Sequence, residues 1–162
     1  MLVTLIIDAS HCPRTKAAGY GWWLASTRGK RGGSGPMHQL QKNSTVAEMQ
    51  AIQYAVDENY TSGLILPGDI LLIQTDCTAA IWGFQEKRNV LCDTQKQILQ
   101  TFKQWKELHK IGVMFKHVRG HTAGDDNRSM ANIICDRRAL QEMRKLRDEI
   151  LKAQEDGREP GV

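Results

Sequence analysis

The 162-residue chain contains no apolar run approaching the ~20 residues that span a bilayer. Its four cysteines (Cys12, Cys77, Cys92 and Cys135) form neither a CxxC pair nor a zinc spacing, which excludes a disulfide scaffold and a zinc ribbon. Met1–Ile7 has no basic stretch and runs straight into Asp8, so it does not read as a signal peptide. What remains is a soluble, cytoplasmic domain with no membrane association. Hydrophobic residues at 41% and charged residues at 25% suit a globular core. The length corresponds to one domain that buries roughly 68–70% of its unfolded surface.

Acidic residues are also scarce in two stretches. None lies between Asp8 and Glu48, which enclose Arg14, Lys16, Arg28, Lys30, Arg31 and Lys42. From Lys87 to Arg119 only Asp93 and Glu107 interrupt a basic segment. Past Asp136 the charges nearly cancel. Basic segments around isolated acids suit a polyanionic substrate and site-bound cations, although solubility alone also explains a bias of this size.

The apolar, β-branched run Leu2–Ile7 predicts a buried strand, and Ala18–Thr27 a second after a turn at Pro13–Lys16. Gly32, Gly33 and Gly35 read as a break before a third strand at Met37–Leu40. Thr45–Tyr60 has helical spacing, with Glu48, Ala51, Ile52, Ala55 and Val56 on one stripe. Ile70–Thr75 predicts a strand, Thr78–Gln85 a short helix, and Thr94–Lys110 a longer helix with Ile98, Phe102, Trp105 and Leu108 facing inward. Val113–Val118 predicts the fifth strand. Helical spacing resumes near Met130, with a stripe of Leu140, Met143, Leu146 and Ile150, and Glu155–Val162 reads as a frayed end. Three hairpin-linked strands followed by alternating helices and strands define an α/β class: a five-stranded mixed sheet flanked by helices. Trp22 and Trp23 read as hairpin and core aromatics.

Two of these strands end alike, in Ile7-Asp8 and Thr75-Asp76. As parallel neighbours they bring both carboxylates to the carboxyl edge of the sheet, where open α/β sheets bind ligands. Simple turn and cap roles for Asp8 and Asp76 remain open here. Glu48 lies on the sheet-facing stripe, yet Thr45-Val46-Ala47-Glu48 also fits a capping box. Three converging carboxylates would repel one another unless cations lay between them. Oxygen-only ligation selects a hard ion, Mg²⁺ or Mn²⁺. Two such ions roughly 3.5–4 Å apart would suit phosphodiester displacement.

The motifs resemble the type 1 ribonucleases H. Asp8-Ala9-Ser10 with Gly19-Tyr20-Gly21-Trp22 is similar to that family's first strand and hairpin, and Ala47-Glu48-Met49-Gln50-Ala51-Ile52 to its first helix. Thr75-Asp76-Cys77, Val118-Arg119-Gly120-His121 and Asn132-Ile133-Ile134-Cys135-Asp136-Arg137-Arg138-Ala139 follow in the family's order. The resemblance implies a ribonuclease H-like fold and Asp8, Glu48, Asp76 and Asp136 as catalytic metal ligands. His121 would assist proton transfer or product release. It also implies Mg²⁺, with Mn²⁺ as substitute and two ions when substrate is bound. The implied reaction is endonucleolytic hydrolysis of the RNA strand of RNA–DNA hybrids, leaving 5′-phosphate and 3′-hydroxyl ends. Ala9, Ser10, Ser44, Thr45, Thr78 and Asn132 fall where hybrid contacts are expected, since telling RNA from DNA needs the 2′-hydroxyls.

The chain also departs from the pattern. The segment between His121 and Asp136 is long, which makes Asp125 and Asp126 rivals of Asp136. Thr78 and Ser44 stand where amide side chains are usual. Gln85–Asp93 is too short for the basic protrusion of some members; Lys87 and Arg88, with Lys96, Lys103, Lys106 and Lys110 on the next helix, form a reduced counterpart. Residues 1–139 are the expected catalytic domain and 140–162 a helical extension packed on it. A dimer or replication-protein contact is the alternative role for that extension, but a monomer is expected. Two further readings are a nuclease of the same fold acting on DNA (a resolvase or exonuclease) and a non-catalytic hybrid-binding module.

Overall fold

The computed structural model describes residues 1–87, 91–119 and 127–157. The elements in chain order are β1 (Leu2–His11), β2 (Ala18–Ser26), β3 (Gly29–Pro36), α1 (Ser44–Thr61) and β4 (Ile70–Thr75). They continue with α2 (Thr78–Phe84), α3 (Asp93–His109), β5 (Gly112–His117) and α4 (Asn127–Asp156). The strands form one sheet in the order β3-β2-β1-β4-β5. The β1–β2 and β2–β3 pairs are antiparallel, and the β1–β4 and β4–β5 pairs parallel.

Side chains alternate across β1, so Val3, Leu5 and Ile7 enter the main core beneath α1, α2 and α3. Leu24, Leu71 and Ile73 join them from the neighbouring strands, and Val46, Met49, Ile52 and Val56 meet them from α1. Phe84, Phe102 and Phe115 close this core at the α2–α3 side, with Phe84 and Phe102 centroids 4.8 Å apart. The opposite face carries Ile6, which packs with Ala131 and Cys135 of α4, and Trp23 leans against them. Helix α4 lies close on β2. A Cβ at Gly21 would sit 2.5 Å from the Cys135 carbonyl oxygen, and one at Gly19 2.5 Å from the Met143 nitrogen. The helix runs unbroken through residues 139 and 140, and Met143 beyond them is still buried.

The third strand lies at Gly29–Pro36 rather than Met37–Leu40. Its glycines build the strand instead of interrupting it. Gly33 and Gly35 are the cross-strand partners of Trp22 and Tyr20, and the rings lie over them; a Cβ at Gly33 would be 2.5 Å from the Trp22 ring. Large rings on β2 need small neighbours on an edge strand, which a propensity argument misses. In α3 the buried face is Ile98, Leu99 and Phe102, with Trp105 packed beside them; Leu108 is 76% exposed and not inward-facing. At that turn the helix has reached its end, near His109, and passed the core. Helix α4 starts at Asn127 rather than near Met130, and Glu155 and Asp156 are helical rather than frayed. Residues 158–162, also expected to fray, lie outside the described residues. Trp22 is buried in the main core, as a core aromatic should be.

Candidate active site

In the β1–β4 register Ile6 pairs with Gln74. Two residues further on, on the same face, Asp8 and Asp76 emerge together at the carboxyl edge of the sheet. The N-terminal half of α1 supplies Glu48. Ligand oxygens of Asp8, Glu48 and Asp76 all lie within 4.8 Å of one another. Asp136, on α4, approaches Asp8 closely enough to raise its pKa, but does not belong to the group of three.

The local chemistry separates these acids from ordinary caps. The N-cap of α1 is Asn43, whose side chain accepts from the Val46 N–H at 2.9 Å. Glu48 is therefore not held in a capping box with Thr45. It accepts instead from the Ala9 N–H at 3.3 Å, and that N–H also donates to Asp8 Oδ1 at 2.9 Å. Asp76 does not cap α2, because Cys77 occupies the cap position. Glu48 is only 7% exposed and its Oε2 is buried without a hydrogen-bond partner.

Burial, then the negative charge of Asp76 and contact with Asp136, push the Asp8 carboxyl up to about 8. Burial and the charges of Asp8 and Asp76 drive Glu48 well above the usual carboxylate range. Protons offset the mutual repulsion of these carboxyl groups, as a bound cation would. The buried orphan oxygen of Glu48, with an oxygen-only donor set open at a sheet edge, fits a hard divalent cation. Nearby Cys77 and Cys135 remain thiols, their pKa values raised mainly by burial to about 11 and about 12, so they add no thiolate ligand. Cys12 and Cys77 are half-buried, and a hydrogen bond with Thr15 lowers the pKa of Cys12.

The expected contact residues fall on the elements that carry these acids or directly follow them. Ala9 and Ser10 follow Asp8 in β1, Ser44 and Thr45 open α1, and Thr78 opens α2. Half-buried Asn132 lies one turn before Asp136 on α4. On the basic helix α3, Lys103 pairs with Glu86 at 2.8 Å, while Lys96 and Lys110 are exposed. His121, Asp125, Asp126 and Arg88 lie outside the described residues. Two residues at the site escaped the sequence reading. Asn43 caps α1 and thereby leaves Glu48 free; its signal was an Asn directly before a helical stripe. His117 contacts the Asp76 main-chain oxygen through Nε2 at 3.1 Å, and only the β4–β5 register reveals it.

A five-stranded mixed sheet with acids gathered at its carboxyl edge places the molecule among ribonuclease H-like α/β domains. The RNase H family model matches residues 2–144, and the chain belongs to the RNase H family; by class it is a ribonuclease H, as the type 1 motifs implied. No curated protein matches it significantly by sequence. Among solved structures it is similar to LC11-RNase H1, isolated from compost by a metagenomic approach and solved in complex with an RNA/DNA hybrid. That likeness has 16% identity and a TM-score of 0.71, covering 89% of this chain and 98% of the other. RNase H1 from the halophilic archaeon Halobacterium salinarum is 14% identical with a TM-score of 0.69, over 90% and 99% of the two chains. The N-terminal RNase H domain of a Mycobacterium tuberculosis protein is 13% identical with a TM-score of 0.66, over 94% and 98%. At these identities the structural likeness establishes the fold. Among the described residues, no helix is long and apolar enough to cross a membrane.

Proposed function

We propose that the protein is a cytoplasmic, divalent metal-dependent endonuclease that hydrolyses the RNA strand of RNA–DNA hybrids, leaving 5′-phosphate and 3′-hydroxyl ends. The observation that carries this reading is the convergence of Asp8, Glu48 and Asp76 within 4.8 Å, with a buried orphan oxygen on Glu48. A pure hybrid-binding module has no use for clustered negative charge beside phosphates. The hybrid seated on LC11-RNase H1, a fold relative, supports the choice of substrate over duplex DNA.

Asp8, Glu48 and Asp76 would hold the cation, Mg²⁺ in the cell, and Asp136 would complete the ligand set from α4. When bound, the metal supplies charge stabilisation for the attacking and leaving oxygens of an in-line displacement. The chain's own residues position and discriminate. The Ala9 N–H orients both Asp8 and Glu48. Ala9, Ser10, Ser44, Thr45, Thr78 and Asn132 would meet the sugar edges and phosphates of a hybrid. His121 would move a proton at the leaving group.

The test is cleavage of an end-labelled RNA–DNA hybrid with Mg²⁺, Mn²⁺ or chelator, beside duplex RNA, duplex DNA and the Asp76→Asn variant. Hybrid-only, metal-dependent cutting that falls by orders of magnitude in Asp76→Asn, with unchanged circular dichroism, is expected. Cutting of DNA instead, or tight hybrid binding with no cutting in any metal, would overturn the reading.

A further inference from the structure

An amide buried without a partner calls for an explanation, because it loses its water on folding and gains no bond in return. Gln74 in β4 is such a group: it is 0% exposed, and both Nε2 and Oε1 are buried without a hydrogen-bond partner. Register defines its place. Gln74 pairs with Ile6 of β1 on one side and with Lys116 of β5 on the other. Alternation puts it on the face that carries Asp76, two residues further along β4, and Asp8, two residues beyond Ile6. The row of the sheet that holds Gln74 is therefore the one directly beneath these two acids. Ile6 packs with Ala131 and Cys135, and the Cys135 thiol turns to the Ile6 carbonyl at 3.7 Å. Lys116 is exposed, and its ammonium can only donate. The side-chain acceptors at neighbouring positions of this face are the Asp8 and Asp76 carboxylates and, in the row below, the hydroxyl of Thr4 opposite Leu72. Diagonal neighbours in a sheet are within reach of a long side chain. A carboxylate that ligates a cation keeps lone pairs turned away from it, and donors in the next layer hold these and fix its orientation. An apolar side chain at position 74 would fill the same space without a buried amide, so packing does not account for the glutamine.

We propose that Gln74 is a positioning residue for the cation site: its amide N–H groups serve the Asp8 and Asp76 carboxylates above it and hold their orientation when the ion is bound. The amide touches neither the ion nor the substrate. This role depends on Asp8 and Asp76 being metal ligands.

The experiment is Mn²⁺ binding to the full chain, read from the electron paramagnetic resonance signal of free Mn²⁺, for wild type, Gln74→Met, Gln74→Leu and Asp76→Asn. Melting temperatures in chelator are measured alongside. Both variants at position 74 replace the amide by an apolar group and should weaken Mn²⁺ binding about 10-fold or more, as loss of a partner of a ligating carboxylate does. Their melting temperatures in chelator should equal or exceed the wild-type value, because an unpartnered buried amide is removed. Wild-type Mn²⁺ affinity in a variant that keeps its melting temperature would overturn the proposal. A lower melting temperature in both variants would also overturn it, since the amide would then have a partner without the ion. Undiminished Mn²⁺ binding in Asp76→Asn would instead remove the ligand assignment beneath it.

Discussion

Burying a carboxylate costs free energy, and Asp69 and Glu48 meet that cost in opposite ways. Asp69, 3% exposed, accepts from Arg28 Nη1 and Nη2 at 2.7 and 2.6 Å and from the Leu66 N–H at 2.8 Å. Its pKa is lowered, chiefly by the Arg28 hydrogen bonds. Glu48 has one 3.3 Å N–H, a partnerless second oxygen and two acidic neighbours, and its pKa is raised. The first acid is structural, tying the β2–β3 turn to the β4 approach; the second has the donor set that a cation would fit. Because the Asp69 pKa is depressed, its contribution is complete above about pH 4, the unfolded value, and is lost as pH falls through the folded one. Arg28→Ala should therefore lower the melting temperature at pH 7, and the deficit should shrink below about pH 4. A deficit independent of pH in thermal scans would show that the lost packing of Arg28, not its charge, was responsible.

At the scale of elements, the site depends on how closely α4 lies on β2. Gly21 is opposite Asp8 in the β1–β2 register, and the Cys135 carbonyl occupies the space a side chain would need. Gly21→Ala must push α4 outward by its backbone, which no rotamer change can relieve. It should destabilise by about 1–3 kcal/mol in urea unfolding, typical of overpacking. It should also lower cleavage more than an equally destabilising core change such as Ile52→Val, because Asp136 moves away from Asp8. Equal losses in the two variants would argue against that coupling. Elements with a clear period were legible in the sequence. Ile70–Thr75 coincides with β4, and Thr45–Tyr60 falls within one residue of each end of α1. Strand β3 was not legible, because its glycines answer to Trp22 and Tyr20 on the partner strand rather than to any local preference. Leu108 was misplaced because a helical stripe says nothing about where the core beneath it ends.

The whole molecule carries the titration of its acid cluster into its stability. Asp8 at about 8 and Glu48, also raised, keep protons in the folded state that the unfolded chain releases near pH 4. In chelator, stability should fall as pH rises from about 4 to about 8. Mg²⁺ or Mn²⁺ should raise the melting temperature, and more at pH 8 than at pH 5.5, since ligation favours the ionised carboxylates. Glu48→Gln should flatten the pH dependence in chelator and reduce the gain from the ion. A melting temperature indifferent to divalent ions at pH 8 would contradict a cation site in this cluster.

From the chain alone came the fold class, the alternation of elements along the chain and the acids themselves, because hydrophobic period and strand-end position are local properties. Asp8 and Asp76 were identifiable as neighbours once two buried strands were taken as parallel. Their distances, the freeing of Glu48 by Asn43, the closeness of Asp136 to Asp8 and the contact of His117 with the Asp76 main-chain oxygen were decided by tertiary structure. Each depends on register between strands or on the depth to which a helix settles on a sheet, and these follow from packing across residues far apart in the chain.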